Sequence, residues 1–127
     1  MVRVMLADDN AQFRAALRRL LERDAEIEVV GEAGDGVTAV ELAAELRPDV
    51  VLMDVSMPAM DGIEATYALK ARVPELTVLM LSIGDKDQEI AASRAGGASE
   101  FLVKGSSGST IVAAIKRHGA VAALSRR

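Results

Sequence analysis

Apolar and polar positions follow two alternating patterns along this chain. Short apolar runs, typical of buried strands, occur at residues 2–7, 27–33, 50–53, 76–81 and 99–103. Segments with apolar residues three and four positions apart, typical of amphipathic helices, follow at residues 11–23, 37–46, 63–73, 85–95 and beyond 106–109. The pattern is weakest at 85–95. This alternation predicts an α/β fold with a doubly wound, parallel five-stranded sheet covered by helices on both faces.

The third apolar run is the one around which the other elements are arranged. It is too short for a helix and lies between Pro48 and Pro58, so it is predicted to be a strand buried on both faces. Asp54 follows it directly. Ligands of open α/β folds bind at the carboxyl ends of strands, and a charge buried there is costly unless it is solvated, paired or bound to a metal. We therefore predict that Asp54 is a nucleophile.

The composition narrows the class of protein. The 127 residues are enough for one domain, and two phenylalanines and one tyrosine as the only aromatic residues predict an aliphatic core. The absence of cysteine excludes a disulfide framework and a thiolate zinc site. A net charge of −4 argues against direct nucleic-acid binding by this domain. Without a signal peptide or an apolar run of about 18 residues, we expect a cytoplasmic domain with no membrane contact.

Polar side chains follow the ends of four predicted strands. They are Asp8 and Asp9 after the first, Asp54 after the third, Ser82 after the fourth and Lys104 after the fifth. Because parallel strands end at one edge of the sheet, we expect these groups to meet there. Oxygen ligands suit Mg²⁺, and a carboxylate can accept a phosphoryl group. Each residue alone fits an ordinary cap, turn or surface role, but the ordered set indicates phosphoryl transfer.

The same residues carry a resemblance to a known family. In chain order they are Asp8-Asp9, Asp54, Met57-Pro58-Ala59-Met60-Asp61-Gly62, Ser82, Gly97-Ala98 and the stretch from Phe101 to Lys104. This set resembles the receiver domain of two-component response regulators, most closely the subfamily with a C-terminal helix-turn-helix output domain. The resemblance implies a flavodoxin-like (βα)5 fold with strand order 2-1-3-4-5. It also implies that a sensor histidine kinase phosphorylates Asp54.

The resemblance further implies a set of metal ligands. Mg²⁺ is expected to bind Asp9, Asp54 and the backbone carbonyl of Ser56, with Asp8 acting directly or through water. A domain of this kind is a signalling module that assists its own phosphorylation and dephosphorylation, and it is not a metabolic enzyme.

The resemblance implies switch residues as well. Ser82 takes the position of the switch hydroxyl, Phe101 that of the switch aromatic residue, and Lys104 that of the phosphate-binding lysine. Phosphorylation is then expected to change the surface formed by the fourth helix, the fifth strand and the fifth helix. Ile83 departs from the family, which usually has a small residue there, so we expect Ile83 and Ser56 to modulate access to the phosphoacceptor.

The domain boundary and the output are less closely defined by the sequence. We predict a receiver domain at residues 1–119, with 120–127 as a tail or the start of a linker. The resemblance implies transcriptional output through a DNA-binding domain outside this chain, and it is compatible with a homodimer. The alternative is a stand-alone receiver that acts by docking to another protein.

Two alternatives from other classes fit the residues less well. A small phosphohydrolase of the haloacid-dehalogenase type would need a second aspartate where this chain has Ser56. A mononucleotide- or flavin-binding relative of flavodoxin would need a phosphate-binding loop after the first strand, where Asp8 and Asp9 would repel the phosphate.

Overall fold

A computed structural model of the chain describes residues 1–125. The five strands are β1 Val2–Ala7, β2 Ile27–Ala33, β3 Val50–Asp54, β4 Thr77–Ser82 and β5 Glu100–Val103. The five helices are α1 Ala11–Glu22, α2 Gly36–Leu46, α3 Gly62–Arg72, α4 Asp87–Ala95 and α5 Gly108–Ser125. Every strand pair is parallel and the order is β2-β1-β3-β4-β5, which confirms the predicted fold class and strand order.

The core has two layers, one on each face of the sheet. Successive residues of a strand point to opposite faces, so Met5 and Ala7 of β1 pack under α2 and α3, whereas Val4 and Leu6 pack under α1 and α5. Leu17 and Leu21 of α1 and Ile111, Ala114 and Ile115 of α5 complete the second layer. The core is aliphatic, as predicted, because it is built from Ala, Val, Leu, Ile and Met side chains.

The predicted helices are correct to within two residues, and the differences lie at their ends. Asn10, Asp35 and Asp61 begin α1, α2 and α3, and each side chain accepts a backbone N–H three residues later. Helix α4 begins at Asp87, two residues later than expected, and no side chain caps it. Only Ser93 of α4 is buried, so this helix is the most weakly packed of α1 to α4.

The last helix runs without a break through residue 119, where the receiver domain was predicted to end. Gly119 lies against β1, since a Cβ at this position would be 2.4 Å from Val2 Cγ1. The boundary at 119 stays a prediction, and residues 126–127 lie outside the described part of the chain. Within residues 1–125, no helix is both long and apolar enough to span a bilayer.

Candidate functional site

The carboxyl ends of the strands bring three carboxylates together. Asp8 follows β1, and Asp54 is the last residue of β3, which lies beside β1 in the sheet. Asp8, Asp9 and Asp54 each offer a carboxylate oxygen, and these oxygens lie within 4.8 Å of one another. Asp8 and Asp54 are buried and Asp9 is exposed. This cluster could hold a metal ion, since hard divalent cations prefer oxygen ligands.

The loop between β3 and α3 is folded back against the end of β3. The Gly62 N–H donates to the carbonyl of Val55 at 2.7 Å. A Cβ at Gly62 would lie only 1.9 Å from the carbonyl oxygen of Asp54. Glycine is therefore required at this position, and the close approach fixes the backbone around Asp54.

Lys104 places one positive charge between two of the carboxylates. Its Nζ lies 2.7 Å from Asp8 Oδ2 and 3.5 Å from Asp54 Oδ2. The ammonium also lies 4.5 Å from the centre of the Phe13 ring, where the ring face attracts a cation. Apart from this ammonium, Asp8 Oδ2 has no partner among the described residues. One ammonium group facing three carboxylates leaves the cluster short of positive charge, which fits a site for a divalent cation.

The environment of Asp54 disfavours its ionised form. The pKa of Asp54 is raised to about 6, mainly by burial and also by the charge of Asp8, although the Lys104 ammonium and the Ser56 N–H act to lower it. The Ser56 N–H donates to Asp54 Oδ1 at 3.4 Å. A cation bound among the carboxylates would favour the ionised and nucleophilic form of Asp54.

An open cavity of about 270 Å³ gives access to the cluster. Its lining residues are Asp9, Asn10, Asp54, Ser56, Ile83 and Lys104. Ile83 is 85% exposed and forms part of the wall. The expected effect of Ile83 and Ser56 on access stays a prediction.

The two predicted switch residues lie on β4 and β5, the strands beyond β3 in the sheet. The Ser82 hydroxyl is buried and donates to Glu89 Oε1 of α4 at 3.1 Å, while it accepts the Gly84 N–H at 3.4 Å. Phe101 is half-buried and pairs with Met80 across the sheet. In this conformation the Ser82 hydroxyl is hydrogen-bonded to α4, and it forms no hydrogen bond with Asp8, Asp9 or Asp54.

Comparison with known proteins assigns this arrangement to a family. Residues 4–116 match the family described as the response regulator receiver domain. The chain belongs to this family. The predicted family is thereby confirmed, and the receiver domain is a signalling module of two-component systems rather than a metabolic enzyme.

Relatives of this receiver domain include regulators of transcription. It is 40% identical to the transcriptional regulatory protein LiaR of Bacillus subtilis (strain 168) over 116 residues, which cover 91% of this chain and 55% of LiaR. It is 38% identical to the transcriptional regulatory protein DegU of Brevibacillus brevis over 115 residues, which cover 91% of this chain and 49% of DegU. The chain therefore spans about half the length of the curated relatives it matches.

The fold agrees with that of solved receiver domains. The crystal structure of a LuxR-family two-component response regulator from Aurantimonas sp. SI85-9A1 superposes with a TM-score of 0.89 at 33% identity, covering 97% of this chain and 86% of that one.

Four residues around the site were not predicted to be functional: Phe13, Arg14, Glu32 and Glu89. Phe13 and Arg14 follow the aspartate pair within the first helical turn, so their spacing could have pointed to them. Glu32 and Glu89 have no such signal, because their contacts with the site depend on how β2 and α4 pack.

Proposed function

We propose that this receiver domain accepts a phosphoryl group on the carboxylate of Asp54 from a phosphohistidine of a sensor histidine kinase. Asp9, Asp54 and the backbone carbonyl of Ser56 would hold Mg²⁺ for this reaction, with Asp8 acting directly or through water. The observation that carries the proposal is the meeting of three carboxylates and the Lys104 ammonium at the end of β3.

The transfer requires an ionised Asp54. One of its oxygens attacks phosphorus, the phosphorus–nitrogen bond breaks, and the imidazole leaves with the electron pair of that bond. When bound, Mg²⁺ would neutralise the charge that accumulates between the carboxylates and the phosphoryl oxygens. Lys104 supplies a further positive charge for those oxygens, and it already lies within 3.5 Å of Asp54.

Phosphorylation then alters the balance of contacts around Ser82. The phosphoryl group adds about −1.5 to −2 charges and new acceptor oxygens. The Ser82 hydroxyl leaves Glu89 and donates to the phosphoryl group, and Phe101 turns into the vacated space. The surface of α4, β5 and α5 changes as a result, and the weak packing of α4 supports a change there.

The output follows from the domain organisation. We propose that residues 1–119 form the receiver domain and that 120–127 begin a linker to a DNA-binding domain of a cytoplasmic transcription regulator. The length of the relatives LiaR and DegU supports this arrangement. Homodimerisation through the altered surface would bring two such output domains together.

The test is phosphorylation by a small donor, read by intact mass. With Mg²⁺ and acetyl phosphate, the wild type should gain one phosphoryl group and Asp54→Asn none. Asp49→Asn is the matched control, because Asp49 is a buried carboxylate at the opposite end of β3, and it should be phosphorylated like the wild type. Steady hydrolysis of phosphate esters without an adduct would contradict the proposal and favour a phosphohydrolase. If no adduct forms, the experiment is repeated with a phosphorylated kinase as the donor, because Ile83 lines the cavity through which the donor reaches Asp54.

A further inference from the structure

Arg14 connects the acidic edge of the sheet to β2. Its Nη1 donates to the backbone carbonyl of Asp8 at 2.5 Å, and its Nε donates to Glu32 Oε1 at 2.8 Å. The side chain is 21% exposed, so both contacts are largely shielded from water. One guanidinium group therefore holds the loop after β1 and the end of β2 together.

The contact with Asp8 fixes the orientation of one peptide group. The Asp8 N–H donates to the carbonyl of Ala33 at 3.0 Å, and the Asp8 carbonyl accepts from Arg14. The Asp8 side chain is held as well, since its Oδ1 accepts the Asn10 N–H at 2.9 Å. The Asp8 carbonyl belongs to the peptide that joins Asp8 to Asp9, so Arg14 orients this peptide, whereas β2 holds the preceding peptide through the Asp8 N–H.

The position of the Asp9 carboxylate depends on this peptide more than the positions of the Asp8 and Asp54 carboxylates do. Its carboxylate is exposed, and it forms no hydrogen bond or ion pair with any residue of the described range. Asp8 and Asp54, by contrast, both contact Lys104. The position of the Asp9 carboxylate therefore follows from the backbone, and the backbone is oriented by Arg14.

Glu32 keeps Arg14 in place and also binds Arg18, so the two arginines can be compared. Burial would raise the pKa of Glu32, but hydrogen bonds from Arg18 and Arg14 hold it below its usual value, so the carboxylate is ionised. Arg18 also donates to Glu22. Arg14 and Arg18 thus share one acceptor, but only Arg14 reaches the Asp8 carbonyl.

We infer that Arg14 is a positioning residue for the divalent cation: it orients the Asp8–Asp9 peptide and so presents the Asp9 carboxylate to the metal site. The inference rests on the proposed function, which gives the metal its role. Charge alone would act in the opposite direction, because a guanidinium near the cluster repels a cation and its removal would tighten binding. The sign of the change therefore separates orientation from charge.

Magnesium binding, measured by titration calorimetry, tests the inference on wild type, Arg14→Gln and the matched control Arg18→Gln. Arg14→Gln should raise the Mg²⁺ dissociation constant about tenfold, as expected when a residue that orients a metal ligand is lost. Arg18→Gln should stay within about twofold of wild type, since the hydrogen bonds of the Arg18 side chain go to Glu22 and Glu32 and not to the Asp8–Asp9 peptide. At saturating Mg²⁺, Arg14→Gln should be phosphorylated at nearly the wild-type rate, because Asp54 and Lys104 are untouched.

Two results would overturn the inference. One is unchanged or tighter Mg²⁺ binding in Arg14→Gln. The other is an equal weakening of Mg²⁺ binding in Arg18→Gln, because both arginines would then act only by anchoring α1 to β2. Arg14→Lys serves if Arg14→Gln does not fold. It keeps the charge but cannot make both contacts, so it should weaken binding about threefold, and wild-type affinity would also overturn the inference. A wild type that binds Mg²⁺ but forms no adduct with either acetyl phosphate or a phosphorylated kinase would refute the proposed function alone.

Discussion

Strand β3 has a buried aspartate at each end, and the two carboxylates have opposite surroundings. Asp49, just before the strand, is 1% exposed, and its Oδ2 accepts the backbone N–H of Arg3 at 2.8 Å. Its own N–H donates to the Arg3 carbonyl at 2.8 Å. Arg3 in turn donates from its guanidinium group to the carbonyls of Leu46 and Arg47 at the end of α2. Asp49 thus completes the hydrogen bonding of the backbone where β1, α2 and β3 meet.

Asp54, at the other end, is 4% exposed but has acidic neighbours. Asp8 and Asp9 lie beside it, and an open cavity lies in front of it. Residue type, strand and burial are nearly the same for both aspartates, so none of these three decides what an aspartate does. Their neighbours differ: Asp49 accepts a backbone N–H, whereas Asp54 faces like charges and an open cavity, which fits the reactive role proposed for it.

The largest expected effect comes from removing the charge of Asp54. Its pKa is raised to about 6, so the folded state binds the proton more tightly than the unfolded chain does, and stability is lost as pH rises from about 4 to above 6. In metal-free buffer with EDTA at pH 8, Asp54→Asn should be more stable than wild type by at most about 3 kcal/mol.

Urea denaturation at pH 4, 6 and 8 measures this difference. It should fall to well under about 1 kcal/mol at pH 4, where the carboxyl is protonated in the folded state and about half protonated in the unfolded chain. Adding Mg²⁺ at pH 8 should raise the stability of the wild type and not that of the variant. A difference independent of pH would show that Asp54 is not strained by its neighbours.

Asp49 should behave in the opposite way. Asp49→Ala leaves the Arg3 N–H without this acceptor, so the free energy of unfolding should fall by about 2 kcal/mol. Urea denaturation at pH 7 measures the loss, and Asp49→Asn, which retains an acceptor oxygen, should lose less. Phosphorylation of the folded Asp49→Ala protein should match that of wild type. A stability equal to wild type would remove the contrast between the two ends of β3.

The smallest effect is expected at Glu89. Glu89→Ala removes one partly exposed acceptor from Ser82, so the stability should change by less than about 1 kcal/mol. The freed hydroxyl should favour the phosphorylated state and raise the phosphorylated fraction at steady state about threefold. Intact mass gives this fraction, with Asp87→Ala as the control, since Asp87 is also acidic and in the first turn of α4. A similar rise in both variants would assign the effect to helix charge.

The sequence predicted the elements well because the core is layered. Alternating apolar residues in β1 serve both faces of the sheet, and the runs in β3 and β4 are continuously apolar, so strands and helices were distinguishable. The strand ends also indicated where Asp8, Asp54 and Lys104 would meet. The strand order came from the family resemblance, because periodicity does not say which strands are neighbours.

Side-chain contacts between elements distant in the chain could not be predicted from the sequence. Nothing in the spacing indicated that the Ser82 hydroxyl would donate to Glu89 or that Arg14 would also reach Glu32. Nor did it indicate that His118 Nε2 would lie 2.7 Å from Glu100 Oε1. Each of these contacts depends on how a helix packs on the sheet, which local patterns do not determine.

Gly62 limits how this molecule could be engineered. Replacing a flexible glycine by alanine is a common route to heat resistance, because it reduces the freedom of the unfolded chain. At Gly62 the new methyl group would collide with the backbone carbonyl of Asp54, so the substitution would disturb the carboxylate cluster as well as folding. Gly84 and Gly105, where an added Cβ meets nothing within 4 Å, are the better positions for such a change.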